Sequence, residues 1–512
     1  MKIAFIVLGT ENLGIEYLAA ALARQGHQTR QIFDPGLFHE SNDFLAGFFN
    51  QQKNIMAQVL SFGPDLVGFS VVTSTYQWAC RLAQAIKALL PVPIIFGGYH
   101  PSSVPENVLS NDFVDWVCVG EGEEAICELA SQLARGQSGR QIKNIWTKDN
   151  TGIIRNPPRP LVQDLDQLPF PDKSIYQAVP LIHSKYMIIT SRGCPFDCTF
   201  CGNSFLHELY PDAGRKIRRR SIGHLLAELK EGKARYNFKQ VLFVDDAFGQ
   251  DRAWIREFLG RYRQEIKTPF YCGQHVNYLD AELIRLLKDA GCFLIQTGIE
   301  TVSEKYRKEV LNRPETNTQI EFVLRTAKAV GLKVQIDHIF GLPQEGEVQQ
   351  QEAAEFYNRT RPDSIACFRF TYYPGTKMLE LARTKGWLSQ AQIENIREGK
   401  ITSNTNYRHN DAIKDQQQES AAALYKNFLV LFRIMPLLPA GLVRVIIQKR
   451  LYKLFFVLPR QFIDFLTVIN MIKMRERLLA AHYRHYFYQL LKQSWAKITP
   501  FNFKDQATLM QK

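Results

Sequence analysis

Thr190-Ser-Arg-Gly-Cys-Pro-Phe-Asp-Cys-Thr-Phe-Cys-Gly-Asn203 sets Cys194, Cys198 and Cys201 in a C-x3-C-x2-C arrangement with no fourth cysteine close by. Three thiolates on one short loop can hold three irons of a cubane cluster and leave the fourth iron open to another ligand. Ferredoxin-like electron carriers saturate their clusters with four cysteines, so an open iron points to chemistry at the cluster. Zinc is the competing reading. A tetrahedral zinc site would require a fourth Cys or His at recognisable spacing, and His207 is the nearest candidate.

The loop follows a strand-like run at 186–190 and opens a segment, 181–400, in which strand and helix alternate. The pattern predicts strands at 186–190, 241–245, 270–276, 293–299, 333–340 and 364–373. Helices at 221–236, 281–290 and 318–330 separate them, with Ser221 and Thr318 as expected caps. Six such units suit an open, partial TIM-type (βα)6 barrel, whose active groups gather at the C-terminal ends of the strands. Those ends carry Asp245 and Asp246, Gln274 and His275, Glu300, then Asp337 and His338. Any single acid there could equally be a helix cap or half of a surface ion pair. The histidines read as buried structural residues or as proton donors.

Working upstream, residues 1–150 alternate apolar strands (3–8, 66–71, 94–96, 114–119) with amphipathic helices (about 14–25 and 76–90). This predicts an α/β, Rossmann-like or flavodoxin-like domain with a parallel sheet covered on both faces. Ligands of such sheets sit beyond the carboxyl ends of the strands. Three motifs fall there: Thr10-Glu-Asn-Leu-Gly14, Ser70-Val-Val-Thr73 and Gly97-Gly-Tyr-His-Pro-Ser102. Gly97 and Gly98 let backbone approach a bulky ligand, and Ser70 and Thr73 can hydrogen-bond a nucleotide-like tail. His100 contacts that ligand or is an ordinary loop histidine. A proline-rich stretch, 151–180, links the two units.

Downstream, 401–512 becomes helical and rich in Phe, Leu, Ile and Arg/Lys. From Ala421 to Lys512 there are 15 Lys/Arg against 3 Asp/Glu, which accounts for +12 of the net charge of +13. The first 420 residues are thus nearly neutral, and whole-protein nucleic-acid binding is not expected. The apolar run 428–443 is interrupted by Arg433 and two prolines, too short and broken for a membrane span. Two readings of this tail stay open: a helical lid on the barrel, or peripheral contact with an anionic membrane. Nine cysteines, an odd count, argue against a disulfide framework, and Met1-Lys-Ile-Ala-Phe-Ile-Val-Leu reads as a strand, not a signal peptide. A reducing cytoplasm fits both. Cys80, Cys118, Cys127, Cys272, Cys292 and Cys367 read as core thiols.

The cysteine loop, with Phe200 just before its third cysteine, resembles that of the radical S-adenosylmethionine (radical SAM) superfamily. The N-terminal motifs, with Val119-Gly-Glu-Gly-Glu123, resemble the B12-binding domain upstream of many radical SAM modules. Over about residues 1–400 the chain is similar to cobalamin-dependent radical SAM enzymes. The resemblance implies a [4Fe-4S] cluster on Cys194, Cys198 and Cys201, with SAM on the open iron and cobalamin on the first domain. It places Phe200 beside the adenine, Asp245 or Asp246 on the methionyl amine, and Glu300 on the ribose hydroxyls. It also implies a flavodoxin- or ferredoxin-type electron donor. In such enzymes a 5′-deoxyadenosyl radical activates an unreactive carbon, most simply for methyl transfer from methylcobalamin. Relatives of the same architecture carry out oxidative cyclisation or rearrangement. One departure is plain: D-x-H-x-x-G, which supplies a histidine to cobalt, does not occur at 10–14. Two readings from other classes are a cobalamin or redox sensor and a tRNA methylthiotransferase; the latter's extra three-cysteine cluster is not apparent in the first domain. The substrate is expected to be a small molecule, and the tail's character hints at a hydrophobic or lipid-like one.

Overall fold

A computed structural model describes residues 1–9, 11–34, 52–174, 184–212, 216–246, 248–400 and 417–458, with Leu466 and Ile469. Thr10, the end of the linker and most of the basic tail, including its basic stretch Lys473-Met-Arg-Glu-Arg477, lie outside the described residues.

The first sheet contains β1 (Lys2–Leu8), β2 (Gln28–Asp34), β3 (Leu66–Ser70), β4 (Ile94–Gly97), β5 (Trp116–Cys118), β6 (Ile145–Asp149) and β7 (Gly152–Ile154). Their order is β2-β1-β3-β4-β5-β6-β7. The four expected strands all form. β1, Lys-Ile-Ala-Phe-Ile-Val-Leu, is buried along most of its length because helices cover both faces. On one face Ile15, Leu22, Ile126 and Leu129 pack together; on the other, Ile55, Val59, Leu82 and Ile86. Two features depart from the expectation. β2, Gln-Thr-Arg-Gln-Ile-Phe-Asp, is a polar edge strand that pairs with β1 alone and needs little apolar surface. The β6–β7 hairpin is antiparallel, so the sheet is mixed, not wholly parallel.

The second unit contains β8 (Lys185–Ile188), the short pair β9 (Ser191–Arg192) and β10 (Arg218–Arg219), then β11 (Gln240–Phe243), β12 (Phe270–Gly273), β13 (Cys292–Glu300), β14 (Lys333–Phe340) and β15 (Ser364–Arg369). Six of these form one parallel sheet, β15-β14-β13-β12-β11-β8, each beside its neighbour in sequence. β8 and β15 are its two edges, as an open barrel requires. Ser221 caps its helix, accepting from the His224 amide at 3.1 Å. At the helix Asn317–Ala329 the cap is Thr316, not Thr318. Gln319, three residues after Thr316, completes a capping box that Thr318 could not form.

The helix Gln417–Ile434 packs on the outside of the last strands: Phe432 stacks on Phe340 and meets His338 edge-on. This part of the tail is a barrel-packing element. Among the described residues no helix is long and apolar enough to cross a membrane.

Candidate active site

The cysteine loop leaves β8 at the barrel mouth and is held by its backbone. Thr199 donates its amide to Leu311 O at 3.1 Å and its hydroxyl to Val310 O at 2.6 Å. His207 donates through Nε2 to the Cys194 carbonyl at 2.8 Å, and its Nδ1 faces Asp197, which pairs with Lys377. His207 is therefore committed to positioning the loop and is no fourth metal ligand. Phe196, between the first two cysteines, stacks on His275 with ring centroids 3.8 Å apart.

The three thiols are close enough to raise one another, and burial, the larger cause, pushes Cys194 up to about 11 and Cys198 to about 12. Buried thiols of this kind become thiolates when a cation compensates their charge, which iron does. Among the described residues no three of His, Cys, Asp and Glu converge on a single ion. A cubane needs no such point, because each thiolate takes its own iron. The loop fits the cluster.

The two aspartates after β11 separate by role. Asp245 is buried and accepts from Thr190 N at 2.9 Å, Thr190 Oγ1 at 2.6 Å and Ser191 Oγ at 2.7 Å. It ties the start of the cysteine loop to β11. Asp246 reaches the cavity mouth and lies near enough to Cys194 and Cys201 to raise both thiols. Glu300 is buried at the end of β13, where the pairing with β14 shifts register between Gly298 and Glu300. Its φ is +62°, a left-handed conformation that a non-glycine residue adopts only where its surroundings impose it. Arg313 imposes it, donating to Glu300 Oε1 at 3.3 Å, Gly298 O at 2.5 Å and Glu315 Oε1 at 2.5 Å. Asp245, Asp246 and Glu300 line a cavity of about 520 Å³ with Gln274, Gln296 and Asp337. Phe200 is not part of that lining; it is partly buried against the apolar group of Leu311 and Phe370.

A second cavity, about 290 Å³, opens at the carboxyl ends of β1, β3 and β4. Ser70, Gly97 and Gly98 line it, with Leu18, Phe69 and Ile95. Gly98 has φ +93°, and a Cβ there would come within 2.8 Å of Val71 O, so only glycine keeps this wall flat. The space suits a nucleotide-sized arm of cobalamin, not its whole ring. Thr73 and His100 are not on the wall. They are buried and pair with each other, His100 Nδ1 to Thr73 Oγ1 at 3.2 Å, while the His100 ring packs 4.2 Å from Tyr76. Burial pushes His100 down to about 3, so it is a neutral core residue.

Residues that join the two cavities were not singled out by the sequence. Arg192, two positions before Cys194, lines the first-domain cavity and bonds Glu121 at 3.2 Å and Glu123 at 2.5 Å. Arg218 reaches Glu121 at 2.7 Å. Tyr99, next to Gly98, donates to Pro374 O at 2.8 Å, and its ring fills the space above Gly202, where a Cβ would lie 2.6 Å away. His338 bonds Tyr357 and Gln350 in the outer core and so is structural, away from the cavity.

A family model described as the B12 binding domain matches residues 4–130, and one for the Radical SAM superfamily matches residues 188–357. An uncharacterised methyltransferase of Pyrococcus horikoshii is 29% identical over 387 residues, 73% of this chain and 80% of that protein. Cytidylyl-2-hydroxyethylphosphonate methyltransferase of Streptomyces wedmorensis is 24% identical over 65% of this chain and 69% of its own. The solved structure of the cobalamin-dependent radical enzyme OxsB, with aqua-cobalamin and SAM bound, superposes with a TM-score of 0.63. It is 17% identical, covering 98% of this chain and 82% of that one.

Proposed function

Because the chain belongs to the cobalamin-binding radical SAM enzymes, with [4Fe-4S], SAM and cobalamin as cofactors, we propose that it transfers a methyl group to an unactivated carbon of a small molecule. When bound, the cluster and SAM supply a 5′-deoxyadenosyl radical for hydrogen abstraction, and cobalamin supplies the methyl group. The chain's own residues hold and orient these groups. Cys194, Cys198 and Cys201 would take three irons. Asp246, which the Asn203 side chain approaches, is the carboxylate that would accept from SAM's ammonium, since Asp245 is spent on Thr190 and Ser191. Glu300, fixed by Arg313, would accept from the ribose hydroxyls, and Phe200 would pack beside the adenine. Ser70, Gly97 and Gly98 would receive the cobalamin tail, with Thr73 and His100 supporting them from the core. We propose the same division of the chain: a cobalamin domain over 1–150, a linker to 180, the radical domain over 181–400, and a basic helical region beyond.

The observation that carries this reading is the placement of Arg192, which spans from the wall of the first-domain cavity to the root of the cysteine loop. The test is anaerobic reconstitution with iron, sulfide and cobalamin, reduction by flavodoxin or dithionite, and mass spectrometry of the SAM products. 5′-Deoxyadenosine with S-adenosylhomocysteine supports methylation. 5′-Deoxyadenosine alone turns the reading to cyclisation or rearrangement, and neither product overturns it.

A further inference from the structure

The barrel cavity has open space beside Gly273 on β12, one of its lining glycines; beside the other, Gly298 on β13, the Glu300 carboxylate takes the place of a side chain. A Cβ added at Gly273 would meet nothing nearer than Asp245 O, at 3.9 Å. Asp337 on β14 stands opposite Gly298 in register, one step deeper than Glu300, which pairs with His338. Its Oδ2 accepts from Gln296 Nε2 at 2.8 Å, and Gln335 approaches the same carboxylate. Its Oδ1 is buried and has no partner among the described residues. Among the described residues Gln274, on the same cavity and only 6% exposed, has no hydrogen-bond partner for either amide atom beyond the nearby Cys272 thiol. Native proteins leave few buried polar atoms unpaired, and those they leave call for an explanation. The cation of this cavity, Arg313, is already divided between Glu300, Glu315 and Gly298. Burial first, then Glu300, pushes the Asp337 carboxyl up to about 7, as expected for an acid awaiting a partner.

We infer that Asp337 is a substrate-recognition residue, its free oxygen accepting an N–H or O–H from a substrate that carries an amino or hydroxyl group. The inference rests on the proposed function for where substrate enters, and it names the chemistry of the substrate's anchoring end. That end is polar, in contrast to the apolar, lipid-like molecule hinted at by the composition of the tail. Gln274 would satisfy its amide on the same molecule from another strand.

Three probes of matched shape test this: cyclohexylmethylamine, cyclohexylmethanol and cyclohexanecarboxylate. Their binding to the reconstituted, SAM-loaded full-length enzyme is read by saturation-transfer NMR. The amine and the alcohol should bind and the carboxylate should not. Asp337→Leu should weaken both binders by about tenfold or more, while Asp337→Asn should weaken the amine more than the alcohol. Gly273→Val fills the hollow from another strand and should weaken both as well. It decides the matter if the Asp337 variants lose their cluster absorbance through misfolding. Equal binding of the carboxylate, binding indifferent to these substitutions, or no binding of any probe would overturn the inference. Formation of 5′-deoxyadenosine by the wild-type enzyme is scored separately, so failure of the broader functional reading is distinguishable.

Discussion

The two cavities of this protein are built on opposite principles. The first-domain cavity is walled by glycine backbone and by Leu18, Phe69 and Ile95, and its nearest ionisable side chains are cancelled: Glu121 and Glu123 by Arg192 and Arg218, His100 by burial as a neutral ring. The barrel cavity concentrates carboxylates, with Asp246, Glu300 and Asp337 around one guanidinium. The first grips by shape, which suits a broad, rigid ligand approached by backbone. The second grips by charge and hydrogen bonds, which suits a zwitterion and a polar substrate. Parallel strands end at both, so side-chain choice at the strand ends makes the difference.

Substitutions distinguish the two modes of grip. Cys198→Ala should abolish the charge-holding side outright: iron content and cluster absorbance fall, and 5′-deoxyadenosine formation drops to background. Asp246→Asn removes one charge-assisted bond and should weaken SAM binding by roughly 10- to 100-fold, measured by equilibrium dialysis. Asp245→Asn makes the complementary case. It loosens the anchor of Thr190 and Ser191 and should cost about 2 kcal/mol in chemical denaturation. In the shape-gripping cavity, Gly98→Ala strains a φ of +93° against Val71 and should cost about 1–3 kcal/mol, seen as reduced cobalamin retained on gel filtration. The smallest effect belongs to neither cavity: Arg256→Ala removes an exposed bridge to Glu282 and should change stability by about 0.5 kcal/mol or less in a thermal melt.

The cysteine loop was legible because its ligands lie within eight residues and their spacing is itself the signal. The six barrel strands were legible because each is an apolar run followed by an amphipathic helix. What escaped depends on contacts distant in sequence. Nothing local separates Asp245 from Asp246; only the position of Thr190, 55 residues earlier, shows which one is consumed. Arg313 sits in an unremarkable turn, Leu-Asn-Arg-Pro-Glu-Thr, and becomes informative once Glu300 and Gly298 are brought to it. His100 read from sequence either as a ligand contact or as an ordinary loop histidine, yet a short helix after Gly98 turns it into the core, where Thr73 meets it. β2 escaped because an edge strand with one buried face carries too few apolar residues to announce itself.

Tyr99 and Gly202 fit together as ring and notch, one on each domain. Grafting a cobalamin domain from a distant relative onto this barrel would therefore demand more than a matching linker. The donor must bring an aromatic ring at that position, and the acceptor must keep the bare Cα that receives it. The two halves are interchangeable only as a matched pair, which restricts how freely such modules can be recombined by engineering or by descent.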